Sequence, residues 1–160
     1  MAAPNPLYHD IILEHYEYPR NKGACADPDA TSRGANPACG DDLLVSLRLD
    51  GDKDAVDEVQ WDGHACAIGE ASASMMTEVV TGGGRPAARN WIRTVRAMVT
   101  GKPAEMDRSL ELGDLEALEG IRNYPVRVKC ALLAWEALDE ALTIAERKKG
   151  LAPTAERSST

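Results

Sequence analysis

Cys39 and Asp41 flank a single glycine in the stretch NPACGDD, residues 36–42. Residues two apart in an extended chain project to the same side. Gly40 between them is free to take a positive φ and bend the chain around a small ion. A thiol and a carboxylate placed in this way are two potential ligands of one metal. The plainer alternative is a turn, because Asn-Pro and Gly-Asp are ordinary turn chemistry. Cys66 and Cys130 bear on the choice, since with Cys39 and Asp41 they supply three sulfurs and one oxygen, a set that suits tetrahedral Zn²⁺. No CxxC or HxxxH pair is present, so spacing alone leaves both a shared metal site and unrelated cysteines open.

The elements that must position these residues can be read from periodicity. Leu7, Ile11, Ile12 and His15 recur at helical intervals and predict an amphipathic helix over residues 7–18, ended by Pro19. Residues 19–40 are rich in Gly, Pro, Asn and Asp and read as a long irregular segment of the kind that often carries function. Leu43, Val45, Leu47 and Leu49 alternate with Leu44, Ser46 and Arg48, which predicts a half-buried strand. Val56, Val59 and Trp61 mark a second strand, joined to the first through DGDKD as an antiparallel hairpin, with room for a further short strand before residue 43. Helices follow over IGEASASMMTEVV and RPAARNWIRTVRAMV, then a short helical piece at DLEALEGI. The longest helix begins after Pro125, with Val128, Leu132, Trp135, Leu138 and Leu142 as its apolar stripe. Strands early and helices late give an α+β domain, a small antiparallel sheet with helices on one face. It is expected to span residues 1–147, with a disordered tail at 148–160.

On this map Cys39 enters the first strand, Cys66 lies where the second strand meets a helix, and Cys130 lies in the first turns of the last helix. Helix N-termini favour thiolates, the form that ligates metals or carries sulfur.

At 160 residues the chain is long enough for one core, burying roughly 70% of the surface its unfolded form exposes. It has no phenylalanine, three tryptophans and four tyrosines, so the core is mainly aliphatic. A net charge of −8 argues against nucleic acid and anionic membranes as partners. No apolar run approaches a membrane span, and the first twenty residues lack the pattern of a secretory leader, so a cytoplasmic location with reduced thiols is expected.

Cys25, in the irregular segment, reads as a bystander. His64 reads as a surface strand-end histidine and His15 as a hydrogen-bonded helix histidine. The TGGGRP stretch lacks the Lys-Ser/Thr ending of a phosphate loop and reads as a helix–helix linker. Arg20 and Lys22 in YPRNKG are expected on an exposed loop, available to a partner protein.

The motifs LYHDIILEHYEYPRNKG, NPACGDD, DGHACAIGEASASMMTE, LGDLEAL and YPVRVKCALLAWEAL together resemble, in order and spacing, the U-type iron–sulfur cluster assembly proteins, a family that includes IscU and the N-terminal domain of NifU. The resemblance runs from about Leu7 to Leu142. It implies the same α+β fold and a metal site on Cys39, Asp41, Cys66 and Cys130. Lys129 stands where the scaffold branch, on which [2Fe–2S] clusters are built, has a histidine, and an extra helical stretch lies between Cys66 and Cys130. Both features resemble the SufU branch, which implies a zinc-dependent sulfur acceptor working with a pyridoxal-phosphate cysteine desulfurase of the SufS type. Downstream Suf scaffold proteins would then receive the sulfur. The alternative is a scaffold holding iron or a transient [2Fe–2S] cluster on the same ligands. Cys39, beside the hinge at Gly40, is the expected sulfur acceptor, and Cys66 and Cys130 the anchors. Arg127, one helical turn before Cys130, is a candidate to hydrogen-bond Asp41 or a ligand sulfur, with a solvated or partner-facing arginine as the equal alternative.

Overall fold

The computed structural model describes residues 6–50 and 54–154. Its elements run α1 (Pro6–Glu17), β1 (Ala30–Asn36), β2 (Asp41–Asp50), β3 (Ala55–His64), α2 (Ala67–Val80), α3 (Arg85–Val99) and α4 (Pro125–Lys149), with 3₁₀ segments at Pro103–Glu105 and Gly113–Asn123 between α3 and α4. The strands form an antiparallel sheet in the order β1-β2-β3. α4 lies across β1 and β2, with α2 alongside it near β3, so the helices pack on one face of the sheet as the strand and helix order implies.

The alternating residues of β2 do what their period requires: Leu43, Val45, Leu47 and Leu49 are all buried. In β3 the apolar residues are spaced irregularly because the register shifts between Arg48 and Leu49. Arg48 pairs with Glu58 while Leu49 pairs with Val56, so Val56 and Val59, three apart, both face the core. One extra residue on one strand of a pair is a β-bulge, which bends the strand locally. Trp61 and Trp135 are fully buried, and truncating either to alanine would cost about 3–5 kcal/mol.

Two expectations change. The segment expected to be irregular contains β1, the outer strand beside β2. Its residues are small because α4 passes directly over it: a Cβ at Gly34 would meet Leu133 O at 3.0 Å. The expected boundary at residue 147 falls inside α4, and the chain beyond it doubles back. Leu151 N–H donates to Glu146 O at 2.9 Å, and the Arg85 guanidinium donates to Ala152 O at 2.7 Å. Residues 155–160 of the expected tail lie outside the described residues.

Candidate metal centre

β1 and β2 are joined by the turn at 37–40, where Cys39 N–H donates to Asn36 O at 3.1 Å and Gly40 has a φ of +72°. The turn holds the Cys39 thiol in solvent, with the Asn36 side-chain amide 3.7 Å from its sulfur. Asp41 is the first residue of β2 and is buried, only 3% exposed. The start of β2 lies against the end of β3, where Asp42 pairs with His64. That pairing brings the α2 N-terminus to Asp41.

Cys66 caps α2, and its thiol makes no capping hydrogen bond, so the sulfur remains free of the helix end. Its backbone N–H donates to Asp41 Oδ1 at 3.2 Å. Cys130, the sixth residue of α4, is buried and lies beside both Asp41 and Cys66. α2 and α4 are locked together just behind the cysteines. Ser72 Oγ donates to Ala131 O at 2.7 Å and accepts the Trp135 indole N–H at 2.9 Å. Gly69 permits this approach, since a Cβ there would sit 2.8 Å from the Ala65 side chain and 3.3 Å from Cys130 O.

The ligand atoms of Cys39, Asp41 and Cys130 all lie within 4.8 Å of one another. Zn–S bonds of about 2.3 Å place sulfurs of a tetrahedral site about 3.8 Å apart, so the trio has to tighten by no more than about 1 Å. Cys66 lies outside this set of mutual distances but adjoins it through Asp41 and Cys130. Burial pushes the Cys130 thiol far above its ordinary range, and the neighbouring Asp41 and Cys66 push it the same way. The second oxygen of Asp41 is buried and has no hydrogen-bond partner among the described residues. A buried carboxylate oxygen with nothing to bond costs about 1–3 kcal/mol or more, and a cation removes that cost. The donor set and this orphaned oxygen fit a thiophilic divalent ion such as zinc.

Arg127 takes the solvated alternative: it is exposed, and its side chain makes no hydrogen bond to Asp41 or to a ligand sulfur, while its backbone N–H donates to Tyr124 O at 2.8 Å. Helical side chains tilt towards the N-terminus, which carries Arg127 away from the buried Cys130. The YPRNKG segment is a surface loop, with Lys22 exposed and Arg20 partly so, and it is fastened to the sheet. Trp61 fixes it to β3: Gly23 N–H donates to Trp61 O at 2.7 Å, and the Trp61 indole N–H to Arg20 O at 3.0 Å. Arg20 pairs with Glu14 at 2.9 Å and Lys22 with Glu70 at 3.5 Å.

Cys25 is buried against Ser46 and Glu58, outside the cluster. His64 is exposed. His15 is wholly buried, its two ring nitrogens 2.8 Å from Ser74 Oγ and 2.8 Å from Asp114 Oδ2. Gly69, Ser72 and Asn36 position the centre without having been singled out by sequence. The run of small residues in IGEASAS was the available signal for the first two.

Comparison with known proteins places the chain. The family model for the NifU-like N terminal domain matches residues 7–131. A relative from Bacillus subtilis (strain 168), named zinc-dependent sulfurtransferase SufU, is 40% identical over 141 residues, 88% of this chain and 92% of the relative. A relative from Streptococcus pyogenes serotype M1, named iron-sulfur cluster assembly scaffold protein IscU, is 36% identical over 142 residues, 89% of this chain and 86% of its own. The crystal structure described as a putative iron-sulfur cluster assembly scaffold protein for the SUF system, from Fervidobacterium islandicum AW-1, superposes with a TM-score of 0.76 at 32% identity, covering 83% of this chain and 94% of that one. With its described fold and cysteine arrangement, the chain belongs to the NifU-like N-terminal domain family.

Proposed function

We propose that this protein works in iron–sulfur cluster biogenesis as a zinc-dependent sulfur acceptor, taking persulfide sulfur from a pyridoxal-phosphate cysteine desulfurase and passing it to downstream scaffold proteins. The observation that carries this reading is the asymmetry of the centre: Cys39 is exposed on a turn while Asp41 and Cys130 are buried behind it. Cys39, Asp41, Cys66 and Cys130 would hold the ion. A bound zinc supplies a redox-silent centre that keeps its cysteines deprotonated and apart from disulfide chemistry.

The chain's own residues divide the work. Cys66 and Cys130, fixed by α2 and α4, are the anchors. Cys39 can leave the centre by rotation about the turn at Gly40, because nothing lies within 4 Å of a Cβ built at Gly40. Its thiolate attacks the outer sulfur of the desulfurase persulfide. The S–S bond there breaks, a new one forms at Cys39 Sγ, and the desulfurase cysteine departs as a thiolate, with no net oxidation. With a metal bound, Asp41 would be a harder and more exchangeable ligand than a fourth cysteine, so that Cys39 could leave without unfolding the domain.

Support comes from the 40% identical relative named as a zinc-dependent sulfurtransferase and from Lys129, which supplies no imidazole beside Cys130. The test is turnover of free cysteine by the cognate desulfurase with wild type and Cys39→Ala, each analysed for bound metal. Stimulation by zinc-loaded wild type and its loss in Cys39→Ala are expected. Equal stimulation by Cys39→Ala would remove the relay role, and iron with sulfide in protein purified without added metal would favour the scaffold reading.

A further inference from the structure

Glu70 is a buried carboxylate, 7% exposed, in the first turn of α2. It is four residues beyond Cys66, so its side chain lies over the helix end. Its Oε2 accepts the backbone N–H of Ala65 at 3.1 Å. Its Oε1 lies 3.5 Å from Lys22 Nζ. The Lys22 ammonium in turn sits 5.0 Å above the centre of the Trp61 ring. Trp61 is fully buried in β3 and holds the segment carrying Lys22 by backbone hydrogen bonds on both sides. A rigid post in the sheet therefore orients a lysine, the lysine orients a carboxylate, and the carboxylate grips the peptide just before Cys66.

The helix end explains why such a grip is needed. N-cap side chains normally bond the first free N–H groups of a helix, and the residue at this cap is Cys66, whose thiol makes no such bond. With no hold from its own side chain, the peptide entering the helix is fixed from outside by two carboxylates: Asp41 accepts the N–H of Cys66 and Glu70 that of Ala65. Asp41 belongs to the centre itself and has to respond when its ligands change. Glu70 does not belong to it, and so supplies the fixed half of the clamp.

We infer that Glu70, oriented by Lys22, is a positioning residue for Cys66, holding that thiol in register with Cys130 and Asp41 while Cys39 is free to leave. The inference rests on the proposed zinc centre, but on Cys66 as an anchor and not on sulfur transfer.

The hydrogen bond and the charge can be separated. Glu70→Gln keeps an acceptor at the same reach and loses the charge, whereas Glu70→Asp keeps the charge and falls one methylene short of Ala65. Three measurements on the full chain read the difference. They are zinc affinity by competition with a chromophoric chelator, the visible bands of the Co²⁺-loaded protein, and exchange of the Ala65 amide proton in metal-free protein. Outer partners of metal ligands are worth roughly tenfold to a hundredfold in affinity. Glu70→Asp is expected to bind zinc about tenfold more weakly, with altered Co²⁺ bands and an Ala65 amide that exchanges about tenfold faster. Glu70→Gln should stay within about threefold of wild type in affinity and retain its cobalt bands. Lys22→Met should fall between the two.

Wild-type affinity, bands and exchange in Glu70→Asp would overturn the assignment, as would a loss in Glu70→Gln as large as that in Glu70→Asp. Because none of these readouts involves sulfur, they stand whether or not Cys39→Ala abolishes desulfurase stimulation. Failure of the sulfur-relay reading is thereby kept distinct from failure of this one.

Discussion

Asp41 is tied to Cys66 by one of its oxygens: Oδ1 accepts the Cys66 backbone N–H at 3.2 Å, while Oδ2 is buried with no hydrogen-bond partner among the described residues. The same carboxylate thus fastens the end of α2 and offers a bare oxygen to the cysteine cluster. Its two oxygens have separable surroundings, one bonded to the helix end and one facing the cysteines.

That separation predicts opposite effects in the presence and absence of metal. In Asp41→Asn the amide oxygen can still accept from Cys66, and the burial of an ionised group is relieved. Metal-free Asp41→Asn should therefore melt at or slightly above wild type, by about 2–4 °C for a gain of about 1 kcal/mol in a domain of this size. The rise in melting temperature on adding zinc should shrink markedly. Parallel thermal melts in chelator and in zinc provide the check.

Stability of the metal-free protein should depend on pH through Cys130. Burial, then the neighbouring Asp41 and Cys66, hold this thiol far above the value of 9.0 for a free thiol. The folded state therefore keeps a proton that the unfolded state gives up. The stabilisation is fully present below pH 9 and is lost as the pH rises beyond it, at up to about 1.4 kcal/mol per pH unit. Urea titrations of metal-free wild type and Cys130→Ala between pH 8 and 10 should show the decline in the first and a flatter profile in the second. Zinc binding, which takes the thiolate, should release protons and strengthen with pH.

α1, α3 and α4 were legible from their spaced apolar residues, α2 from a run of small residues ending at glycines, and β2 because Leu43, Val45, Leu47 and Leu49 alternate without interruption. β1 was not legible. Ala30, Ser32 and Gly34 are small because α4 passes over them, and smallness carries no strand signal. The irregular apolar spacing of β3 made sense only with its bulge in view. At the centre, Cys39 and Asp41 could be paired locally, since they lie two residues apart. Joining them to Cys66 and Cys130 needed either the family resemblance or the fold, because sheet register and helix packing create that proximity. The Arg127 expectation rested on helical spacing, which fixes a face but not whether a long side chain reaches inward. Arg20 and Lys22 were legible as loop residues but not as paired ones, because Glu14 and Glu70 lie on other elements.

A second buried charge cluster should affect stability and leave the metal centre alone. Glu146, 2% exposed, receives Arg85 at 2.7 Å and Arg89 at 2.9 Å, and both arginines are themselves buried. Asp54 and Asp139 complete their pairing. Glu146→Ala strands two guanidiniums short of a partner and should cost about 3–5 kcal/mol. Chemical denaturation measures the loss, and zinc bound per folded molecule should match wild type.

Cys25 offers the complementary control. Its thiol donates to Ser46 O at 3.4 Å, on a part of the sheet away from the cluster. Cys25→Ala should cost on the order of 1 kcal/mol from one weak hydrogen bond and a small loss of packing. Metal stoichiometry and desulfurase stimulation should be unchanged.

The Ser72 bridge between α2 and α4 has a practical consequence. Trp135 donates its indole N–H to that hydroxyl, at the seam between the two helices that carry Cys66 and Cys130. Any rocking of one helix on the other must strain or break this bond and alter the polarity the indole senses. The indole is therefore an optical gauge of that seam, whose share of the intrinsic emission is isolated by comparison with Trp135→Phe, since Trp61 and Trp91 emit as well.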